Sequence, residues 1–375
     1  MTKVADWANL EELPLSLVLD KLEEHIDHVR FGVVCKNWRS VAKLNHQHRV
    51  NIPPMIMILK DQWYWSDKYA KTGKRSLYGI LSHKEYPVTF LSRMVSERCM
   101  GSSFGWFSFV DKNNAITLVN PFKCGSIPPI SLPPLKSVYK ATLSANPITS
   151  PNDYVVAAIC GFRNLAFKRA CQPFWIHIAH EFAITSVVFY KDLIFADNHG
   201  HTIVSFKINN PPCDDSYNPN FTYYEKIAST RYSVPTQCYD ERLYFVKSLN
   251  GDIWMVRRYL IVLDQSLDVY KLELDAQSGK LEQMNKLESL EDNILFVGIG
   301  DSISLSTSCF SKLENDSIYF LFEFDSWQGI YNVKGGSEFD SRLGIYNVKD
   351  GSFREQSLPH SFRRNFWVQP QFQWD

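Results

Sequence analysis

The sequence predicts a small all-α unit, residues 1–50, followed by an all-β domain, residues 51–375, that forms a six- or seven-bladed β-propeller. Apolar residues recur at helical spacing before residue 50. After it, short aromatic and β-branched runs alternate with Gly, Pro, Asn and Asp, which is typical of strands and turns. At about 45 to 50 residues per four-stranded blade, this second part is long enough for six or seven blades.

The first helix is indicated by Leu15, Val18, Leu19 and Leu22, which recur at i, i+3, i+4 and i+7. This spacing places them on one face of a helix. Pro14 lies at the first turn, where a missing N–H costs nothing.

Two further helical segments follow. Asp27 is a plausible N-cap, with Ile26 and Phe31 placed to form a hydrophobic staple across it. The next stripe either continues that helix or starts a third one, and the helices together fill residues 14 to 44. Its members recur at spacings of three and four: Phe31, Val34, Cys35, Trp38, Val41 and Ala42.

The helical unit is too small to be stable comfortably on its own, since about 40 residues bury little apolar surface. Leu13 and Leu17 also lie off its internal stripe, because Leu17 is about 200° around the helix from Leu15. We therefore expect another surface to cover them.

The β domain contains thirteen strand-like runs. Turn sequences such as Ser248–Gly251 and Lys349–Gly351 join several of them and favour antiparallel hairpins. The runs are Met55–Leu59, Gly105–Val110, Ala115–Val119, Tyr154–Cys160, Ser186–Tyr190, Leu193–Ala196, Thr202–Ile208, Leu243–Val246, Asp252–Val256, Asp268–Leu274, Ile294–Gly298, Ser317–Phe324 and Gly344–Val348.

One internal repeat stands out, because Gly329–Ser337 returns almost unchanged as Gly344–Ser352. Its offset is too short for a propeller blade. We interpret it as a local duplication that pairs with itself or bulges out as a loop.

Composition narrows the classes of function. Forty Lys and Arg balance forty Asp and Glu, so the overall charge favours neither nucleic acid nor an anionic membrane. Apolar runs fall well short of the roughly 20 residues that span a bilayer. The first ten residues lack an apolar signal segment, which predicts a reducing compartment without disulfides. The eight cysteines include no C-x-x-C pair, and we expect no metal and no cofactor.

Three patterns suggest chemistry, and each also has a simpler interpretation. Gly101–Gly105 fits G-x-S-x-G, with Ser103 as the nucleophile, but a strand rather than a helix follows, so we interpret it as a glycine-rich turn. The pairs His177/His180 and His199/His201 could hold a metal, although structural histidines are commoner. A third pattern, the basic face of Lys36, Arg39 and Lys43, could read DNA, but residues 1–50 carry seven basic and seven acidic residues, so a solvated face is favoured.

Two segments resemble known families. Leu10–Leu22 with its Leu13-Pro14 start, and Val33–Ser40 with Cys35, Lys36, Trp38 and Arg39, resemble an F-box. The remainder resembles the plant F-box proteins that carry a KIB-type propeller domain. That second resemblance rests on stretches such as Gly101–Trp106, Leu118–Pro121, Ile130–Leu135, Asp268–Leu272, Asn293–Gly298, Asn315–Phe320 and Trp367–Pro370.

The resemblance implies a non-catalytic subunit of a Skp-cullin-F-box ubiquitin ligase, found in nucleus and cytoplasm. The F-box would bind a Skp-type adaptor, and through it a cullin, while the propeller would bind an unknown protein substrate. Two alternatives remain: a regulator that binds the adaptor without a substrate, and an enzyme that uses the propeller channel. The residues matched to adaptor binding are Leu13, Pro14, Leu17, Val34, Cys35 and Trp38.

The sequence departs from the family pattern at two places. The repeated Gly-Ile-Tyr-Asn-Val-Lys stands where the family has one such strand. The closing pattern of the family, Trp-Phe-x-Pro, appears here as Trp367-Val368-Gln369-Pro370. Both concern the last blade.

Overall fold

The structure is a computed structural model, and its description covers most of the chain. The described residues are 6–22, 25–48, 53–60, 74–88, 91, 94, 97–123, 127–179, 183–198, 201–209, 217–233, 241–259, 266–275, 278–310, 312–322, 342–359 and 365–370.

Three helices come first: α1 (Glu12–Asp20), α2 (His25–Gly32) and α3 (Lys36–His48), after a 3-10 turn at Trp7–Asn9. The predicted helical region was right but too short at both ends. Residues 33–35 separate α2 from α3, so these two helices are not continuous.

The predicted N-cap at Asp27 is wrong, because α2 begins two residues earlier at His25. Asp27 lies in the first turn, where its carboxylate pairs with Arg30 at 3.3 Å. An acidic side chain there favours the helix by opposing the helix dipole, and this role gives the same sequence signal as a cap.

The rest of the described chain forms six β-sheets, which are the blades of a propeller. Blades 1 to 3 contain β1 (Met55–Lys60), β2 (Lys74–Gly79), β3 (Lys84–Pro87) and β25 (Phe366–Val368); β4 (Arg98–Ser103), β5 (Trp106–Val110), β6 (Ile116–Val119) and β7 (Ile130–Leu132); and β8 (Val138–Leu143), β9 (Val155–Cys160), β10 (Asn164–Arg169) and β11 (Ile176–Ile178).

Blades 4 to 6 contain β12 (Ile184–Tyr190), β13 (Leu193–Asn198), β14 (Thr202–Ile208) and β15 (Tyr224–Arg231); β16 (Glu241–Lys247), β17 (Ile253–Tyr259), β18 (Leu267–Leu274) and β19 (Leu281–Lys286); and β20 (Asn293–Val297), β21 (Ile303–Ser306), β22 (Ser317–Leu321), β23 (Arg342–Asn347) and β24 (Phe353–Ser357). The fold prediction is confirmed, and the number of blades is six.

Pairing between distant parts of the chain closes the ring. Strand β25 lies antiparallel to β1, with Val368 opposite Met55 and Phe366 opposite Met57. Such a closure gives blade 1 its fourth strand and leaves no open edge between the first and the last blade.

The innermost strands of the blades surround the propeller axis. They are β25, β4, β8, β12, β16 and β21, each at the edge of its sheet. Strands β4 and β8 approach so closely that a Cβ on Gly101 would lie 2.0 Å from the carbonyl oxygen of Ala141. Glycine is therefore required there for space rather than for backbone conformation.

Blade 6 has a different strand order from the other five. Its strands follow the order β21-β20-β22-β23-β24, and β20 runs parallel to β22. The chain therefore passes into the propeller centre between β20 and β21 before it builds the outer strands. This detour places residues 298–302 next to blades 2 and 3.

Each of the thirteen predicted strand-like runs overlaps a strand, although several strands begin or end one residue inside the run. The run Ser317–Phe324 holds β22, which ends at Leu321, and its last two residues lie outside the described residues. The two predicted turns are hairpins, with Gly251 at φ +84° and Gly351 at φ +71°. The second copy of the repeat forms β23 and its hairpin, whereas the first copy lies outside the described residues. Among the described helices, none is long and apolar enough to cross a membrane.

Candidate functional site

The helical unit buries a very small core. Leu15, Leu19, Phe31, Val41 and Ala42 form it, as the predicted stripes indicated. A core with five buried apolar side chains among the described residues provides little stabilisation, and a covering surface for the unit stays a prediction.

The three most apolar of the six predicted adaptor-binding residues are exposed. Leu13 is 71% exposed, and Leu17 and Val34 are each 57% exposed. Leu13 and Leu17 are four residues apart on α1 and lie on the same face of that helix. Exposed aliphatic side chains on one face typically mark an interaction surface.

The other three predicted residues differ in their surroundings. Pro14 is exposed, whereas Cys35 and Trp38 are half-buried. The Trp38 ring lies 4.5 Å from the Phe31 ring, measured between centroids, so it contributes to the internal packing of the unit.

The segment before α1 is held by the start of α3. The indole N–H of Trp38 donates to the carbonyl of Trp7 at 2.8 Å, and the amide of Asn37 donates to the carbonyl of Leu10 at 2.8 Å. Trp7 itself is exposed, as are Val33 and Leu44, none of which the sequence pattern assigned to adaptor binding. Val18, which the sequence placed on the internal stripe of α1, is also exposed and lies outside the helical core. Their exposure could only be found once the packing of the helices was known.

A polar site that the sequence analysis did not predict lies at the propeller axis. Asp301, between β20 and β21, accepts hydrogen bonds from the hydroxyls of Ser103 at 2.5 Å and Thr142 at 2.9 Å. Its backbone N–H donates to the carbonyl of Ser102 at 3.0 Å. Blade 6 is thereby joined to the ends of β4 and β8.

Burial raises the pKa of Asp301, although Lys140, the two hydroxyls and Lys247 all favour the carboxylate. Burial in turn lowers the pKa of Lys247, against the attraction of Asp301. Asp301 as a whole is half-buried. The arrangement is that of a carboxylate held by hydroxyl donors where blades 2, 3 and 6 meet.

The geometry around Ser103 does not form a nucleophile elbow. Ser103 is the last residue of β4 and not part of the turn, so its predicted place in a turn is wrong. The turn is Phe104-Gly105, with φ of +50° and +77°, and β5 follows it. The Ser103 hydroxyl donates to a carboxylate, whereas a serine nucleophile needs a base such as histidine to take its proton.

Blades 4 and 5 share a buried polar cluster. Asp197, which is fully buried, accepts from the hydroxyl of Tyr232 at 2.8 Å and from Thr185 at 3.2 Å. The buried Arg257 pairs with Glu241 nearby. Burial, with a smaller contribution from Glu241, raises the pKa of Asp197 to about 7.

The candidate metal ligands do not assemble within the described part of the chain. No group of three or more His, Cys, Asp or Glu side chains is placed there to hold an ion. His177 is exposed on β11, and His201 lies 3.4 Å from Glu241. His180 and His199 lie outside the described residues.

The comparisons with known proteins agree with the architecture. The sequence profile of the KIB1-4 beta-propeller family matches residues 77–347. A comparison with curated proteins found no match.

Solved propellers are only distantly similar. The Cps50 (Swd1) β-propeller domain of Myceliophteria thermophila is 11% identical, with 77% of this chain and 80% of that chain covered and a TM-score of 0.40. The WD40 domain of Toxoplasma gondii coronin is 10% identical, with 84% and 68% covered and a TM-score of 0.36. These likenesses are too distant to bear on function.

Proposed function

Because the chain belongs to the KIB1-4 beta-propeller family, we propose that it is the substrate-recognition subunit of a Skp-cullin-F-box type ubiquitin ligase. The helices α1 to α3 bind a Skp-type adaptor, which links the chain to a cullin. The propeller binds the protein substrate. The proposal includes the nucleus and the cytoplasm as the location, where such ligases meet their substrates.

The observation that carries this proposal is the exposure of Leu13, Leu17 and Val34 on a helical unit with a minimal core. Water contacts these side chains in the free chain, so covering them with a partner is favourable at about 25 cal/mol per Å² of buried apolar surface. The resemblance of the same residues to an F-box supports the choice of a Skp-type adaptor as that partner.

The test measures adaptor affinity in the full-length chain. We expect the Leu17→Ala, Pro14→Ala double variant to lose about tenfold or more in affinity for a purified Skp-type adaptor, as is usual for central interface residues. Leu249→Ala is the matched control, because Leu249 is an exposed aliphatic residue of the propeller. Undiminished adaptor binding by the double variant would refute the proposal.

The second half of the proposal concerns the substrate. Proteins that co-purify with the chain and its adaptor, and that become ubiquitinated when the complete ligase is reconstituted, would support substrate recognition. A chain that binds the adaptor but supports ubiquitination of none of them would instead be a regulator.

We further propose that the chain itself is not an enzyme. The hydrogen bond that Ser103 donates to Asp301 and the one that it accepts from the backbone N–H of Leu143 support this, because they occupy the hydroxyl in a structural role. A fluorophosphonate probe, which labels activated serines, should leave the folded protein unlabelled. Labelling that disappears in Ser103→Ala would contradict the proposal.

A further inference from the structure

The most exposed aromatic side chain of the described propeller lies at the tip of the β9–β10 hairpin. Phe162 is 95% exposed. The residues on either side have positive φ, +58° for Gly161 and +64° for Arg163. A left-handed conformation is unfavourable for an arginine, so the hairpin is held in a shape that costs free energy and projects Phe162 outward.

Two backbone hydrogen bonds anchor this hairpin tip. Gly161 N–H donates to the carbonyl of Ser137 at 2.9 Å, and Ile184 N–H donates to the carbonyl of Arg163 at 2.9 Å. The tip is therefore fixed to the starts of blade 3 and blade 4. A side chain presented on a fixed loop loses little entropy when a partner covers it.

A second exposed aromatic lies beside the tip. Tyr139 is 47% exposed and occupies the irregularity in β8 between Val138 and Lys140, whose partners on β9 are Cys160 and Ile159. Cys160 directly precedes the hairpin tip. Phe162 and Tyr139 thus belong to the same end of blade 3.

The charge of this part of the chain differs from the whole. Although the net charge is zero, residues 112–180 hold seven positive and one negative side chains, an excess of six positive charges. The only acidic residue among them is Asp153, and the basic ones are Lys112, Lys123, Lys136, Lys140, Arg163, Lys168 and Arg169.

Three of these cations are exposed at the same end as Phe162. Lys136 precedes β8, and Arg163 follows Phe162. Lys112 lies in the β5–β6 turn, and a hydrogen bond from Leu135 N–H to the carbonyl of Asn114 joins this turn to the connection between β7 and β8, just before Lys136. We call Lys112, Lys136, Tyr139, Phe162 and Arg163 the tip surface.

Two of the described acidic residues, Asp111 and Glu97, lie at the edge of the tip surface. Asp111 accepts from the backbone N–H of Asn113 and of Ala115, each at 2.8 Å. Glu97, also at this edge, is half-buried, and burial raises its pKa despite the nearby Arg75. The exposed side chains of the tip surface therefore combine aromatic rings with positive charge.

We propose that the tip surface binds an acidic segment of a partner protein that inserts an aromatic or aliphatic side chain against Phe162 and Tyr139. Charge complementarity selects the acidic segment, and the exposed rings provide the apolar contact that usually dominates affinity. This proposal deepens the proposed function. It rests on that function in one respect, because it takes the propeller as the substrate-binding domain. Three cations around two rings suit a short peptide better than a nucleic-acid backbone, which needs a longer row of cations.

The test uses the full-length chain and a displayed library of random 12-residue peptides. We expect the enriched peptides to combine at least two Asp or Glu with a neighbouring aromatic or aliphatic residue. Their affinity, measured by fluorescence anisotropy, should fall about tenfold or more in Phe162→Ser and in the Lys112→Glu, Lys136→Glu double variant. Added salt should weaken binding to the unchanged chain more than to the double variant.

Matched controls separate the tip surface from general effects. Leu249→Ser changes an exposed apolar residue of another hairpin, and Lys349→Glu reverses an exposed charge in blade 6, so both should leave peptide affinity unchanged. The tip variants should also keep adaptor binding, whereas the Leu17→Ala, Pro14→Ala variant should keep peptide binding. Failure of this proposal is thus distinguishable from failure of the adaptor proposal.

Four outcomes would overturn the proposal. They are the enrichment of no peptide, the enrichment of basic or uncharged peptides, undiminished binding of the acidic peptides to Phe162→Ser, and tighter Phe162-dependent binding of a 12-nucleotide single strand than of the peptides.

Discussion

The carboxylate of Asp301 accepts a 2.5 Å hydrogen bond from the hydroxyl of Ser103, although 198 positions separate the two residues in the sequence. The same carboxylate accepts from Thr142 in blade 3. A single side chain between β20 and β21 therefore connects three blades across the propeller centre.

Replacing Asp301 should destabilise the propeller. In Asp301→Ala the hydroxyls of Ser103 and Thr142 lose their acceptor, and Lys140 and Lys247 lose a neighbouring negative charge. An unsatisfied buried polar group costs about 1–3 kcal/mol, and we expect a loss in that range in the free energy of unfolding, measured with urea. Asp153→Ala, at an acidic residue whose side chain is 88% exposed, is the control and should change little. Equal stability of the two variants would contradict the connecting role of Asp301.

Close packing of the innermost strands predicts a contrast between two glycines. A Cβ at position 101 would lie 2.0 Å from the carbonyl oxygen of Ala141, whereas a Cβ at position 298 would have its nearest neighbour, Trp367, at 3.4 Å. Gly101→Ala should therefore overpack the two strands, which costs about 1–3 kcal/mol or more in the free energy of unfolding. The melting temperature of this variant should fall strongly. Gly298→Ala should have nearly the same melting temperature as the unchanged chain. If Gly298→Ala instead lowered the melting temperature more than Gly101→Ala, β4 and β8 would be able to separate at low cost.

Neighbouring leucines of α1 should differ in their effect on stability. Leu15 is fully buried, and Leu15→Ala should cost about 2–5 kcal/mol of the stability of the helical unit. Leu17 is exposed, and Leu17→Ala should leave that stability within about 0.5 kcal/mol. Circular dichroism at 222 nm during urea unfolding reports on the helices, and similar losses in both variants would mean that Leu17 is packed in solution.

Local patterns were sufficient to predict thirteen of the twenty-five described strands and part of the internal helical stripe, because alternation and periodicity are properties of neighbouring residues. Long-range pairing is not encoded in this way, so Asp301 was missed and Ser103 was placed in a turn. The position of Asp27 shows a different limit, since an acidic residue suits both an N-cap and a first turn. The excess of positive charge in residues 112–180 can be found from the sequence, but only if charges are counted separately for each segment, because the net charge of the whole chain is zero.

The buried Asp197 makes stability depend on pH. Its pKa rises from 3.8 to about 7, because burial disfavours the carboxylate. The folded chain therefore binds this proton more tightly than the unfolded chain does. The contribution of this group to the free energy of unfolding is then fully present at low pH and is lost as pH rises from about 4 to about 7.

Asp197→Asn isolates this contribution from that of the other titrating groups. The amide oxygen can still accept from Tyr232, while no charge develops next to Glu241. We expect the variant to become more stable relative to the unchanged chain as pH rises from 4 to 7, by an amount of order 2–4 kcal/mol. Urea unfolding of both proteins at several pH values measures the difference. A constant difference across this range would mean that Arg257 and the two hydroxyl donors, Tyr232 and Thr185, keep Asp197 ionised in the folded chain.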